Sequence, residues 1–189
     1  QTNPAVADLL YRDVLDKAGV DEGKALVDLY SGVGGFALAA AKRSGWALGV
    51  EGVLGAVQRA RQTASSEGIP AEFVHGVVED VLASLPRRLG KRQPVVVVNP
   101  ARRGLEKEVA LGIVGLNPQK VLYVSCNPAA MARDLASFVD RGWQIDSLTP
   151  YDMFPNTPHV ETVAELSPPG GVTESADAGR APRRKVVRK

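Results

Sequence analysis

Asp28-Leu29-Tyr30-Ser31-Gly32-Val33-Gly34-Gly35-Phe36 is the stretch on which the reading of the fold turns. A β-rich apolar run at residues 25–29 stops there, and a helical pattern at residues 35–43 begins. Glycines between a strand and a helix let a ligand lie against backbone amides at the helix N-terminus. The next β-rich run ends in Gly49-Val50-Glu51, at the spacing where a carboxylate can accept both hydroxyls of a ribose. Gly32, Gly34 and Glu51 are therefore candidate contacts for a nucleoside cofactor on a Rossmann-like sheet. Two other readings stay open at this point. Gly32-x-Gly34-x-x-Ala37 has the form of a dinucleotide fingerprint, which suits a nicotinamide-dependent oxidoreductase, and glycines alone also make a plain tight turn.

Outward from the loop, the alternation continues. Predicted strands at 25–29, 47–50, 71–75, 94–98 and 121–124 alternate with predicted helices at 35–43, 53–67, 78–85, 106–115 and 128–139. The last of these helices opens on Pro128, a residue suited to a first turn. Runs such as Val95-Val96-Val97-Val98 have no polar face, which implies burial on both sides and a parallel sheet between two helical layers. Two further strands, one within 143–148 and one at 160–166, have no helix between them and predict an antiparallel hairpin closing one edge. An amphipathic helix pattern with Ala5, Leu9, Leu10 and Val14 precedes all of these. The expected fold is α/β: a mostly parallel, doubly wound seven-stranded sheet with ligands at the carboxyl ends of its strands.

A chain of 189 residues accommodates one full core and an appendage. With 44% hydrophobic and 23% charged residues it has the make-up of an ordinary globular protein rather than a disordered or membrane-embedded one. No apolar run reaches membrane-spanning length, and no leader pattern is visible. The single cysteine excludes an internal disulfide or a multi-cysteine metal site and points to the cytoplasm. Of the 23 Lys and Arg, six lie in the last ten residues, where there is no acid; the remaining 17 face 21 Asp and Glu. The body is thus about −4 and has no overall pull on nucleic acid, so an RNA partner needs local patches, the tail or further sequence. Residues 168–189, rich in Pro, Gly, Ser and Arg without apolar period, read as a disordered basic tail. The opening Gln1-Thr2-Asn3-Pro4, which runs straight into a helix, reads as the start of a domain taken from a longer protein.

Two further segments carry chemistry. Cys126 sits in Ser125-Cys126-Asn127-Pro128, between the fifth strand and its helix, where open α/β sheets place reacting groups and a helix N-terminus favours negative charge. It is either a packed thiol or a used one. Asn99-Pro100-Ala101-Arg102-Arg103-Gly104 follows the fourth strand and offers a side-chain amide on a rigid turn. That is typical of methyltransferases acting on planar nitrogen heterocycles and has no use in a dehydrogenase; its plain alternative is a type I turn.

Taken in order, residues 1–7, 28–36, 99–104, 125–127 and 152–161 resemble the RNA uracil-C5 methyltransferases, and among them the type that acts on 23S ribosomal RNA. The resemblance spans residues 1–167 as one catalytic domain and implies a class I S-adenosylmethionine-dependent methyltransferase fold. It implies that Gln1, Tyr30, Glu51 and Asn99 contact S-adenosylmethionine, that Cys126 is the nucleophile and that Glu161 is the general base. A tRNA uridine is the alternative substrate, and a cofactor-binding module with little activity of its own is the alternative role. Asn99 stands where many relatives carry Asp and fits the ribosomal type. Ser31, Ala101 and Asn156 depart from a common Cys, Pro and His. The family's N-terminal RNA-binding part has no counterpart here, and nothing in the chain suits an iron–sulfur cluster or another metal. The expected partner is RNA, ribosomal RNA first, with no membrane and a monomeric chain. Arg102 and Arg133 are candidate cations beside the thiol, and Tyr151 and Phe154 are candidates for a base pocket or the core.

Overall fold

The computed structural model describes residues 3–20, 24–153, 157 and 160–170. The apolar runs pair into one seven-stranded sheet of order β3-β2-β1-β4-β5-β7-β6. The strands are β1 (Ala25–Leu29), β2 (Ala47–Glu51), β3 (Ala71–His75), β4 (Pro94–Val98), β5 (Lys120–Ser125), β6 (Gln144–Tyr151) and β7 (Glu161–Ser167). The first five are parallel, as the unbroken valine run of β4 requires, and every residue of β1 and β4 is buried. β7 runs antiparallel to β5 and lies between it and β6, so the hairpin does close one edge, with its second strand inserted.

Two cores flank the sheet. On one face Ala25, Val27 and Leu29 of β1 pack with α4 (Val78–Val81), α5 (Leu85–Leu89), α6 (Lys107–Gly115) and α7 (Pro128–Val139). On the other, Leu26 packs with α1 (Pro4–Ala18), α2 (Gly35–Ser44) and α3 (Leu54–Ser66). The period-2 alternation of the strands thus assigns each residue to one layer or the other. Among the described residues no helix is long and apolar enough to cross a membrane.

Three details differ from the sequence reading. The helix predicted over 78–85 is broken into α4, a 3₁₀ turn at Leu82–Ser84, and α5. Pro86 has no amide to donate to Leu82, so the helix tightens and restarts with proline in its first turn. β6 runs on to Tyr151 through Pro150, which an edge strand tolerates because one side of it needs no donors. In α1 the buried stripe is Leu10, Val14, Leu15 and Ala18, while Ala5 and Leu9 face solvent.

Candidate active site

The parallel register brings the carboxyl ends of the strands to one edge. Leu29 is abreast of Val50 and Val98, and Val98 is abreast of Tyr123. Tyr30, Glu51, Asn99 and Cys126, each at or just beyond a strand end, therefore share that edge. On the antiparallel side the last register pair is Ser125 with Thr162, and Cys126 and Glu161 are the residues that adjoin this pair at the same end of the sheet. Paired cross-strand neighbours such as Ser125 and Thr162 are about 5 Å apart at Cα. The pairing of β5 with β7 thus brings the segments that carry Cys126 and Glu161 to one end of the sheet, across 35 residues of chain.

The glycine loop is built from backbone. The Ser31 amide donates to the Val50 carbonyl at 3.0 Å and the Gly34 amide to the Ser31 carbonyl at 2.8 Å. Gly34 has φ +87°, and a Cβ there would lie 2.6 Å from the Phe73 ring, so both conformation and space call for glycine. Tyr30 holds φ +60° despite its side chain, an uncommon conformation that packed surroundings must impose. Its hydroxyl donates to Glu79 Oε1 at 3.3 Å, and burial, reinforced by Glu79, raises its pKa.

Glu51 does more than the sequence reading asks of it. Oε2 accepts the Gly32 amide at 2.9 Å and Oε1 accepts the Val53 amide at 2.7 Å, so the carboxylate ties the loop to the turn after β2. Each oxygen still has a lone pair for a ligand hydroxyl. Beneath the loop, Asp28 is fully buried. Its Oδ2 accepts the Ala37 amide in the first turn of α2 at 3.0 Å, and its Oδ1 has no partner. Burial pushes its pKa up to about 7 against that hydrogen bond, with Glu51 adding to the rise. The Ser31 hydroxyl is likewise buried without a partner. Above the loop, Val33, Val53, Leu54 and Val77 project from the turns after β1, β2 and β3, with Val53 63% and Val77 56% exposed. An apolar rim beside a loop with unpaired buried oxygens suits a ligand with a flat apolar ring and a polar, cationic arm.

The half of this edge over β4, β5 and β7 is built from side chains. Cys126 is partly exposed. Asn127 caps α7 through Oδ1, which accepts the Ala129 and Ala130 amides at 3.2 and 3.3 Å. Its Nδ2 donates to the Arg102 carbonyl at 2.9 Å, linking the thiol's segment to the turn that carries Asn99. The Asn99 residue is exposed, and its backbone amide donates to the Leu29 carbonyl at 3.3 Å. Glu161 is buried at 9% exposure; burial raises its pKa, and no cation among the described residues lowers it. Arg133, a candidate cation for the thiol, is committed to Asp134 and to the Arg103 carbonyl. Tyr151 is a core residue whose hydroxyl donates to Asp13. Gln1, Phe154, Asn156 and the tail from residue 171 lie outside the described residues.

With this geometry in view, relatives decide the family. The family model for tRNA (uracil-5-)-methyltransferase matches residues 91–167, which contain Asn99, Cys126 and Glu161. An uncharacterized RNA methyltransferase of Caldanaerobacter subterraneus is 41% identical over 165 residues, 87% of this chain and 36% of that one. The Pyrococcus abyssi tRNA (uracil-54, C5)-methyltransferase, solved in complex with S-adenosyl-L-homocysteine, matches with a TM-score of 0.70 at 34% identity, over 83% of this chain and 37% of that one. This chain belongs to the RNA uracil-C5 methyltransferase family. It spans little more than a third of the length of these relatives. The precorrin-6y C5,15-methyltransferase of Geobacter metallireducens, 10% identical with a TM-score of 0.66 over 84% and 86% of the two chains, shares the fold alone, that of the class I methyltransferases.

Several residues that shape this family member's site show their part only in the structure. Asp28 opens the stretch 28–36, but nothing in the sequence marks its complete burial or its unpaired oxygen. Glu79, Tyr123 and Asp134 become visible through tertiary contacts, and the rim valines through exposure where composition suggests burial.

Proposed function

We propose that this chain is the catalytic domain of an S-adenosylmethionine-dependent methyltransferase that modifies C5 of a uridine in RNA, 23S ribosomal RNA first. The observation that carries the reading is the pairing of Ser125 with Thr162, which brings Cys126 and Glu161, a buried carboxylate with no cation among the described residues to lower its pKa, to one end of the sheet beside a loop shaped for a nucleoside ligand.

The residues divide the work. Gly32, Gly34, Glu51, Tyr30 and Asn99, with Gln1, hold the cofactor, and the rim of Val53, Leu54 and Val77 borders its flat ring. When bound, S-adenosylmethionine supplies a methyl group activated by a positive sulfonium. A cationic arm favours the ionised form of Asp28, which burial alone disfavours.

C5 of uracil is a weak nucleophile. The Cys126 thiolate adds to C6, forming an S–C6 bond and moving the ring electrons toward C5 and O4. C5 then accepts the methyl group. Glu161 removes the C5 proton, and the electrons of that C–H bond re-form C5=C6 as the S–C6 bond breaks and Cys126 leaves as thiolate. A raised pKa suits Glu161 to this task, because a stronger base takes a carbon-bound proton more readily. A uridine inside a duplex cannot reach Cys126, so the substrate is an unstacked or flipped base.

Asn99 supports the ribosomal reading and the Pyrococcus relative supports a tRNA uridine as the second. Incubating the chain with S-adenosylmethionine and either RNA, then mapping 5-methyluridine, separates them. Product in 23S RNA supports the first, and product in tRNA alone supports the second. S-adenosylhomocysteine binding without product means a cofactor module that needs the rest of a longer protein. NAD binding in its place would revive the oxidoreductase.

A further inference from the structure

Away from the reacting groups, a cluster of buried polar contacts surrounds Asp134 on α7. Its side chain is 3% exposed, yet its two oxygens accept four hydrogen bonds. Oδ2 takes the Tyr123 hydroxyl at 2.7 Å and the Leu105 amide at 2.6 Å. Oδ1 takes Arg133 Nε at 2.9 Å and Nη2 at 2.7 Å. The donors come from β5, from the loop after β4 and from α7 itself. A buried carboxylate with its acceptor sites filled by neighbours has no capacity left for a ligand, so its work is to hold those segments together.

What it holds is the turn that carries Asn99. Arg133 Nη2, fixed by Asp134, donates onward to the Arg103 carbonyl at 2.7 Å. Together with Asn127 on the Arg102 carbonyl, α7 grips the backbone of Arg102, Arg103 and Leu105. Gly104, between them, has φ +81°, and a Cβ there would sit 2.3 Å from Asp134 Oδ2 and 2.7 Å from Arg133 Nη2. The loop therefore lies directly on the pair, with no room to slide. Asn127 is the neighbour of Cys126 in sequence, so the same grip fixes the thiol's segment against the Asn99 turn.

We propose that Asp134 is a positioning residue: with Arg133 and Tyr123 it clamps the Asn99 turn to α7, and so sets the thiol of Cys126 in register with the groups that hold the substrate. The proposal rests on the functional reading above. A displacement of about 1 Å in such a register is enough to lower a rate about 100-fold while leaving binding of either partner intact.

Asp134→Asn is the direct test in the whole chain. Its one oxygen can keep Tyr123 and Leu105, but its amide then points at the Arg133 guanidinium, donor against donor, and releases the Arg103 carbonyl. With 5-fluorouridine RNA and S-adenosylmethionine, the rate of Cys126 adduct formation at saturating RNA falls about 100-fold, S-adenosylhomocysteine affinity stays within about threefold, and the variant melts as one cooperative unit. Arg133→Met, which removes the guanidinium and keeps the apolar stem, falls about tenfold and serves if the Asn variant fails to fold. Hydrogen exchange at the Leu105 and Gly104 amides reads the clamp without turnover: it rises in both variants while the amides of β1 and β4 keep their protection. A folded Asn or Met variant with the wild-type rate, or with wild-type exchange in the loop, overturns the clamp. If the wild-type chain makes no Cys126 adduct, the functional reading fails, and the exchange measurement still decides the clamp.

Discussion

Over β1, β2 and β3 the reactive edge of the sheet is shaped by backbone; over β4, β5 and β7 it is shaped by side chains. In the first half, amides of Ser31, Gly32, Gly34 and Val53 form the loop, and the buried Asp28 and Ser31 leave oxygens unpaired. In the second, Asn127, Arg133 and Asp134 fill their hydrogen bonds by gripping the neighbouring loop. The unfinished half suits a ligand that completes it. The finished half suits reacting groups that must not move. Substitutions in the two halves should therefore fail differently, the first in affinity and stability and the second in rate.

The largest effect is expected in the reaction half. Glu161→Gln keeps shape and removes the base, so turnover falls about 10²–10⁴-fold while the RNA adduct accumulates on Cys126. Normal turnover in that variant contradicts the assignment. Because burial raises the pKa of Glu161, the wild-type rate declines as pH falls at a higher pH than for an ordinary carboxylate, and the Gln variant loses that limb.

In the cofactor half the next effect is on stability. Asp28 has a folded pKa of about 7 against an ordinary 3.8. Below pH about 4 it is protonated in both folded and unfolded chains and makes no difference. As pH rises toward 7 only the unfolded chain gives up the proton freely, so folding stability drops by roughly 4 kcal/mol, and the loss is complete above pH 7. Asp28→Asn removes that slope. Denaturant unfolding at pH 5 and pH 8 measures it, and an equal gain at both pH values would contradict the account. Affinity for S-adenosylmethionine should rise with pH through the same range in the wild type and stay flat in the variant.

Gly34→Ala is expected to be smallest. A left-handed residue and a contact 2.6 Å from Phe73 destabilise the loop by about 1–3 kcal/mol. S-adenosylhomocysteine calorimetry should show weaker binding, while alkylation of Cys126 proceeds at the wild-type rate. A change in alkylation would mean that the two halves are coupled.

The same division explains what could be read from sequence. Backbone requirements leave local marks: glycines at Gly32 and Gly34, a strand ending in Glu51, a valine run for a parallel strand and Pro128 for the start of α7. The seven strands and the edge hairpin were legible for that reason. Side-chain clamps leave no such mark. Tyr123, Leu105 and Asp134 meet through a helix and a loop, with Leu105 and Asp134 29 positions apart in the chain. The break at Pro86 and the reach of β6 through Pro150 depend on position in the fold: one proline interrupts a helix, the other sits harmlessly on an edge. Glu161 was legible through family resemblance, but its burial and its place at the same sheet end as Cys126 came from strand pairing.

The central claim is that Cys126 bonds to a uracil ring and Glu161 releases it. Its most direct test is mass spectrometry of the chain after incubation with a 5-fluorouridine RNA hairpin and S-adenosylmethionine. Fluorine at C5 cannot leave as a proton does, so the account predicts a stable RNA–protein adduct, mapped to the peptide containing Cys126 and absent in Cys126→Ala. Methyl transfer to normal uridine by the Ala variant at the wild-type rate, with no adduct in the wild type, would contradict it.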